Sequence, residues 1–192
     1  MKDIMVDKLL DDNEVRRLAG ESDTKVIAYP ELQHYHDVNH LFGRDKKVII
    51  LYLNSNDGGN YVGHWTLLMK TKRGGKTHVE FNDSYANEID EYLDDFPQHL
   101  RDELDQSRGH LSSLLYDYCH AHPNAKVEYN EIPFQRLKNG VNTCGRWVCV
   151  RAHFSEVPLE QWQGAFKKLK KEGYDLDKII TIVSNHLLKK RR

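Results

Sequence analysis

A continuous apolar run at residues 47–53 most strongly limits what this chain can fold into. Between Lys47 and Leu53 lie Val, Ile, Ile, Leu and Tyr, which are large or β-branched residues without the polar alternation of a half-exposed strand. A run of this kind is typical of a strand buried on both faces of a sheet. The run therefore predicts a central strand with packed layers on both sides.

Two further strand patterns follow this run and are joined by a tight turn. Residues 61–70 and 77–81 carry Val, Leu, Thr and aromatic side chains, and the turn at 72–76 contains two glycines. This arrangement predicts a hairpin-connected sheet. Shorter strands are predicted at residues 26–28 and 126–130, and a polar loop is predicted at residues 54–60.

The rest of the chain shows helical periodicity and helix-boundary signals. Helices are predicted at residues 1–20 (with a break favoured at 11–13), 30–43, 87–122 in several pieces, from Cys144 onward, 158–171 and 175–188. Together the patterns predict an α+β fold with a central mixed β-sheet flanked by helices. At 192 residues, the chain is expected to form one domain over 1–192.

Composition argues against several classes of function. Acidic and basic residues nearly cancel, giving a net charge of -1, so the whole chain has no nucleic-acid signature. Only the basic tail Lys189–Arg192 could contact nucleic acid, and such a tail is more often a solvated helix end. Three cysteines form an odd set, and the sequence has neither a signal-peptide pattern nor a membrane-length apolar run. We therefore expect free thiols, an intracellular location and no membrane partner.

Cys144 stands where a helix is predicted to begin. A polar loop leads into Asn142 and Thr143, which favour N-cap positions, and apolar residues follow at helical spacing. The positive end of the helix dipole favours thiolate over thiol. Gly145 is expected to leave the space over the sulfur open. These features indicate a nucleophile, and the alternative is a small buried cysteine.

Three other polar residues precede Cys144 in an order that suits thiol catalysis. A cysteine nucleophile needs a base, and His64 lies on a predicted strand. Asp83, at the end of the adjacent strand, could orient that histidine and stabilise its charged form. Gln135, in a loop, and the backbone N–H of Cys144 could donate to an oxyanion. Each residue alone is more often a surface, capping or core residue, so the order carries the argument.

These residues belong to a set of motifs that resembles a known family. The family is the cysteine proteases typified by the adenovirus protease (adenain), together with the SUMO-specific Ulp/sentrin proteases. The resemblance covers about residues 45–155. It is carried by Gly63-His64-Trp65, Phe81-Asn82-Asp83-Ser84-Tyr85, Gln135 and Asn142-Thr143-Cys144-Gly145.

The resemblance implies a papain-like catalytic machine in circularly rearranged order. It makes Cys144 the nucleophile, His64 the general base, Asp83 the orienting acid and Gln135 the oxyanion donor, with Trp65 beside the substrate groove. Two features depart from the family. Gln135 lies nine residues before Cys144, farther than is usual there, and the stretch from Asp83 to Gln135 is longer than in compact members. The longer stretch predicts an extra helical insert near the groove.

The expected activity is a cysteine endopeptidase that cuts after a small residue, Gly above all, in viral polyprotein or capsid-protein processing. The residues support the narrow specificity, because Trp65 beside the base and Gly145 beside the nucleophile predict a tight, substrate-binding groove. The expected location is the host cytoplasm or nucleus, or the virion. The same machinery serves deconjugases that remove ubiquitin-like proteins, so such a protein is the alternative partner. A catalytically inactive binding module is the third alternative.

Histidine and cysteine clusters elsewhere do not complete a metal site in the sequence. His36 and His40 lie one helical turn apart, but no matching set of ligands follows them. Cys119 with its neighbouring histidines would need a distant partner such as Cys149. The sequence therefore predicts neither a metal nor an organic cofactor.

Overall fold

The computed structural model describes residues 5–20, 23–55 and 61–190. This part contains five strands, which are β1 (Thr24–Ala28), β2 (Lys47–Ser55), β3 (Tyr61–Arg73), β4 (Lys76–Asp83) and β5 (Ala125–Tyr129). They form one sheet in sequence order. The central three are antiparallel, while β1 and β5 pair in parallel with β2 and β4. The predicted mixed sheet is confirmed.

Helices cover both faces of the sheet. Those of the described residues are α1 (Asp12–Ala19), α2 (Val38–Phe42), α3 (Gln98–Glu103), α4 (His110–Ala121), α5 (Cys144–His153), α6 (Leu159–Lys171) and α7 (Leu176–Lys190), with 3₁₀ helices at Tyr29–His34 and Glu91–Asp95. The α+β fold class is therefore confirmed. None of the described helices has the length and apolar content needed to span a bilayer.

Strand β2 is the centre of the core, as its sequence predicts. Val48 and Ile50 contribute to the apolar cluster under α2 and α4, whereas Ile49 contributes to the cluster under α1 and α5. All three side chains are fully buried. Successive strand residues point to opposite faces, so an unbroken apolar run fills two layers at once.

Two helix predictions near the N-terminus are wrong in part. Residues 5–11 are not helical, and α1 begins only at Asp12, because the side chain of Asp11 accepts the Glu14 N–H (2.8 Å) and caps the helix. The single helix predicted at 30–43 is divided in the same way, since Asp37 accepts the His40 N–H (2.8 Å) and starts a new helix. In both places an aspartate inside the apparent periodicity acts as a cap.

The other boundaries agree with the predictions more closely. The helical region at 87–122 forms separate pieces, and the predicted apolar stripe of α4, headed by Leu111, is buried. The polar loop predicted at 54–60 is partly strand, because β2 extends to Ser55, and residues 56–60 lie outside the described residues. Of the basic tail, Arg191 and Arg192 also lie outside them.

A buried ion pair fixes α5 against the sheet. Arg151 donates from Nε and Nη2 to the two carboxylate oxygens of Glu80 on β4, at 2.7 Å each, and both residues are inaccessible to solvent. The guanidinium also donates to the carbonyls of Phe154 and Val157. Removing one partner of such a pair typically costs about 3–5 kcal/mol, because the other charge is left buried. This pair therefore holds in place the helix whose first residue is Cys144.

Candidate active site

The register of β3 and β4 brings His64 and Asp83 together. Thr66 lies opposite Asp83, so His64, two residues earlier on the same strand face, is the diagonal neighbour of Asp83. The Nε2 atom of His64 lies 2.9 Å from Oδ1 of Asp83, and only 2% and 1% of the two residues is exposed. The nitrogen is not aligned for a good hydrogen bond, so the contact is mainly electrostatic.

Gly63 allows β3 to pack closely against β2 directly before His64. A Cβ atom added there would lie 2.1 Å from the carbonyl oxygen of Tyr52 and 2.6 Å from Cδ1 of Leu51. Both distances are shorter than van der Waals contact, and the first involves backbone that cannot move aside. A glycine directly before His64 is therefore a packing requirement of the β2–β3 pair.

Asp83 is held in place by its own surroundings. Its Oδ1 accepts the N–H of Tyr85 at 2.7 Å. Its backbone N–H donates to Oδ1 of Asn130 at 2.9 Å, and its carbonyl accepts from Nδ2 of the same residue at 2.7 Å. Asn130 follows β5, the strand that pairs with β4, so one amide side chain fixes the end of the strand that carries the acid.

The surroundings of His64 favour its charged form. Burial lowers its pKa, but the nearby Asp83 carboxylate and Cys144 side chain raise it more, so the pKa of His64 rises to about 10. The ring lies between Tyr85 and Tyr92, with centroid distances of 5.0 and 4.8 Å. Aromatic faces also attract a cation. His64 is therefore placed to persist as an imidazolium.

Cys144 reaches the same histidine from the other side of the site. It is the first residue of α5, as predicted, and only 5% of it is exposed. Because Nε2 of His64 faces Asp83, Nδ1 is the ring nitrogen available to the thiol. Both residues line a small cavity of about 190 Å³, whose other walls include Leu9, Tyr92 and Gln135.

The residues before Cys144 do not cap the helix in the predicted way. Thr143 occupies the N-cap position, but its Oγ1 donates to the buried carboxylate of Asp177 on α7 at 2.6 Å. Asn142 instead ties the loop to the N-terminal segment, because its N–H and Nδ2 donate to the carbonyls of Val6 and Asp7, each at 2.8 Å. Cys144 is thus held by tertiary contacts rather than by a local cap.

Gln135 also lies in the site, with every polar group of its amide engaged. Its Oε1 accepts from the Ser84 hydroxyl at 2.8 Å, and its Nε2 donates to the Tyr85 hydroxyl at 2.9 Å and the Val141 carbonyl at 3.0 Å. The N–H groups of Phe134 and Gln135 both donate to the Ser84 carbonyl. The longer loop after Gln135 does fold this residue back beside Cys144.

Trp65 and Gly145, which were expected to line the groove, lie in the core instead. Trp65 is 3% exposed and belongs to the apolar cluster beneath α1 and α5. A Cβ atom added at Gly145 would lie 3.1 Å from Cδ1 of Trp65 and 3.4 Å from Leu10 and Val15. The glycine therefore makes room for the indole ring of Trp65. The reason is strand alternation, which points Trp65 away from the face of His64.

Sequence reasoning missed four residues that shape the site. Tyr85 and Tyr92 enclose the imidazole, Asn130 holds the acid, and Asp177 holds the residue before the nucleophile. Tyr85 gave a signal, because it lies two residues after the candidate acid in a turn. Tyr92 lies seven residues after Tyr85 and Asn130 five residues before Gln135, but neither stands in a motif. Only the fold brings them and Asp177 to the site.

The paired histidines noted in the sequence lie close together. His36 and His40 have ring centroids 4.3 Å apart, and His36 pairs with Asp37 at 3.1 Å. Within the described ranges, however, no group of three or more histidine, cysteine or carboxylate side chains has the geometry to hold a metal ion. The cavity is lined by the thiol of Cys144 and the imidazole of His64, with the Asp83 carboxylate behind the imidazole.

In this α+β fold, a cysteine at the start of a helix lies near a buried histidine and carboxylate. This arrangement is typical of thiol hydrolases, so the site is a candidate of that class. The chain is 32% identical over 143 residues to "Uncharacterized protein V9" of the Sputnik virophage, covering 74% of this chain and 75% of that protein. The chain belongs to the family of this virophage protein. No protein-family model matches it.

Solved structures give a more distant likeness. Two crystal structures of the ASFV pS273R protease, one of them with selenomethionine, superpose with TM-scores of 0.48 and 0.47 at 13% identity, over 93% of this chain and 68% of theirs. Both scores lie below 0.5, so the roles of the residues rest on the geometry described above. The virophage relative agrees with the expected viral setting; the resemblance to the adenovirus and SUMO proteases stays a prediction.

Proposed function

We propose that this chain is a cysteine endopeptidase in which Cys144 is the nucleophile, His64 the general base and Asp83 the acid that stabilises the imidazolium. The observation that carries the proposal is that buried His64 lies 2.9 Å from buried Asp83 and lines the same small cavity as Cys144. A buried histidine and carboxylate without function would be a costly arrangement, since each charge loses its hydration. Next to a thiol at a helix N-terminus, the same arrangement generates a thiolate.

The chemistry follows from these positions. The Cys144 thiolate attacks the carbonyl carbon of a peptide bond, an S–C bond forms, and the carbonyl electron pair moves to the oxygen. When the C–N bond breaks, the His64 imidazolium gives its proton to the leaving nitrogen, and a thioester remains on Cys144. A water molecule that loses a proton to neutral His64 then attacks the thioester. The acid product leaves, and the thiolate–imidazolium pair is restored.

The cavity around Cys144 suits a small residue immediately before the cut. Its volume is about 190 Å³, and two tyrosine rings and Leu9 enclose it. This space, rather than Trp65, is the basis for expecting glycine there. Tyr85, Tyr92 and Gln135 also line an adjoining groove of about 1090 Å³, which continues past Leu137 and Tyr174. An extended peptide chain could lie in that groove while its carbonyl meets Cys144.

We propose a viral polyprotein or capsid protein as the substrate, processed in the host cell or the virion. Membership of a virophage protein family supports the viral setting. A protease of this kind needs no metal or organic cofactor, since its own side chains supply the nucleophile, base and acid. Nucleic acid binding by the basic tail stays a minor expectation, with a salt-dependent DNA-binding assay as its test.

One experiment separates this function from its alternatives. The purified chain is profiled with a peptide library that varies the residue before the cut, and with ubiquitin, SUMO and NEDD-type probes that carry a C-terminal electrophile. We expect cleavage after glycine that is lost in Cys144→Ala and retained in Cys119→Ala, a cysteine outside the cavity. Strong labelling by one ubiquitin-like probe would favour the deconjugase. Folded protein with no turnover and no labelling would favour the inactive binding module.

A further inference from the structure

The bonds of Gln135 leave its amide without a hydrogen for a substrate. Nε2 carries two hydrogens, and both are used, one on the Val141 carbonyl at 3.0 Å and one on the Tyr85 hydroxyl at 2.9 Å. The Ser84 hydroxyl donates to its oxygen and prevents the amide from rotating freely. An oxyanion donor must present a free hydrogen where the charge develops. In this geometry, the amide presents its hydrogen to a tyrosine instead.

Tyr85 has the free hydrogen that Gln135 lacks. Its hydroxyl oxygen accepts from Gln135, and among the described residues no acceptor takes the hydroxyl's own hydrogen. The same tyrosine lines the cavity that contains Cys144 and His64. Burial, followed by the nearby Cys144 and Asp83 charges, raises the pKa of Tyr85 to about 12, so the phenol keeps its proton at neutral pH. It is a neutral donor beside the nucleophile.

We propose that the Tyr85 hydroxyl is the side-chain donor to the oxyanion and that Gln135 is the positioning residue that orients it. This inference rests on the proposed protease function. When the S–C bond forms, the carbonyl electron pair moves to the oxygen, which accepts hydrogen bonds from the Tyr85 hydroxyl and the Cys144 backbone N–H. As the first residue of α5, Cys144 has an N–H that helix geometry leaves without an intrahelical acceptor. The phenol transfers no proton, and the electron pair returns when the leaving group departs.

Stacking on His64 is the competing role for Tyr85. The two ring centroids are 5.0 Å apart and the planes are inclined by 24°, so the tyrosine could act only by holding the imidazole. Tyr85→Phe separates the roles, because it keeps the ring and removes the hydroxyl. Tyr92→Phe is the matched comparison: Tyr92 also packs on His64 and lines the cavity, but the Gln135 amide donates to Tyr85.

Two electrophiles distinguish an oxyanion donor from a residue that acts on the thiolate. The p-nitrophenyl ester of N-benzyloxycarbonylglycine acylates Cys144 through a tetrahedral oxyanion, whereas iodoacetamide alkylates the sulfur by direct displacement and forms none. We expect Tyr85→Phe to slow acylation by about ten- to a thousandfold and to leave the alkylation rate within about twofold of wild type. We expect a much smaller decrease in acylation for Tyr92→Phe.

Three outcomes would overturn the inference: unchanged acylation, an equal loss with both electrophiles, or an equal loss in both tyrosine variants. The double variant Tyr85→Phe/Gln135→Ala adds an independent test. If Gln135 acts through Tyr85, the double variant is no slower than Tyr85→Phe, whereas multiplying losses would mean that the amide donates directly. Thermal melting of each variant verifies its fold. If wild-type protein is not acylated at Cys144 at all, the proposed function fails, which is a different result from unchanged acylation in Tyr85→Phe.

Discussion

Replacing Asp83 with asparagine tests the electrostatics of the site most directly. The pKa of His64 is raised from 6.5 to about 10. The difference is about 3.5 pH units, which at about 1.4 kcal/mol each corresponds to roughly 5 kcal/mol in favour of the imidazolium. Asp83 is the largest cause that raises this pKa, ahead of Cys144. Loss of a neighbouring opposite charge typically changes a pKa by about 1–3 pH units, so we expect the pKa of His64 to fall by that amount.

The sign of the effect follows from the form of His64 that Asp83 stabilises. The carboxylate favours the imidazolium, so Asp83→Asn should lower the pH at which His64 loses its proton. In wild type, the stabilisation from charged His64 is complete below about pH 6.5 and is lost as pH rises through about 10.

Two measurements follow the two side chains separately. Ultraviolet absorbance reports the Cys144 thiolate, and ¹⁵N NMR of the imidazole reports His64, with the alkaline limb of kcat/KM expected to follow His64. Asn82→Ala is the control, because Asn82 neighbours Asp83 in sequence but lies opposite Leu67, on the other face of the sheet. The reasoning is refuted if the His64 titration is the same in Asp83→Asn as in wild type, or if Asn82→Ala moves it equally.

Three more changes test the nucleophile, the groove and the loop. Brief, limiting iodoacetamide should label Cys144 before Cys119, as mass spectrometry can verify; the reverse order would contradict the assignment of the nucleophile. Leu137→Asp should raise KM about tenfold without lowering Tm, because this groove residue is 90% exposed; an unchanged KM would remove Leu137 from the substrate path. Asp177→Ala should lower both kcat and the free energy of unfolding, because Thr143 and Arg136 lose their acceptor. Urea unfolding should show a loss of about 1–3 kcal/mol. An unaltered kcat would show that Asp177 does not position the loop.

Local sequence patterns were sufficient to predict the main strands and helices of this fold. The apolar run of β2 predicts a strand buried on both faces because periodicity depends only on neighbours in the chain, and the start of α5 at Cys144 follows from the same rule. The two misjudged N-terminal helices show the limit of periodicity. Asp11 and Asp37 fit a helical pattern, yet each accepts a backbone N–H and begins a helix.

The groups around the nucleophile were less predictable, because sheet register brings them together. His64 and Asp83 become neighbours through the pairing of β3 with β4, and Gln135 meets Tyr85 only because its loop hydrogen-bonds to Ser84. The position of Trp65 follows from strand alternation. Adjacent strand residues point to opposite faces, so Trp65 packs in the core on the face opposite His64.

The anchoring of Thr143 by Asp177 has a consequence for when the protein becomes active. By residue 144 a growing chain already contains His64, Asp83, Gln135 and the cysteine, yet the carboxylate that holds the cysteine loop belongs to α7, which is made later. Domains generally fold as units. A nascent chain would thus contain all of these side chains before it could align them, so the proposed activity would begin only after α7 has docked.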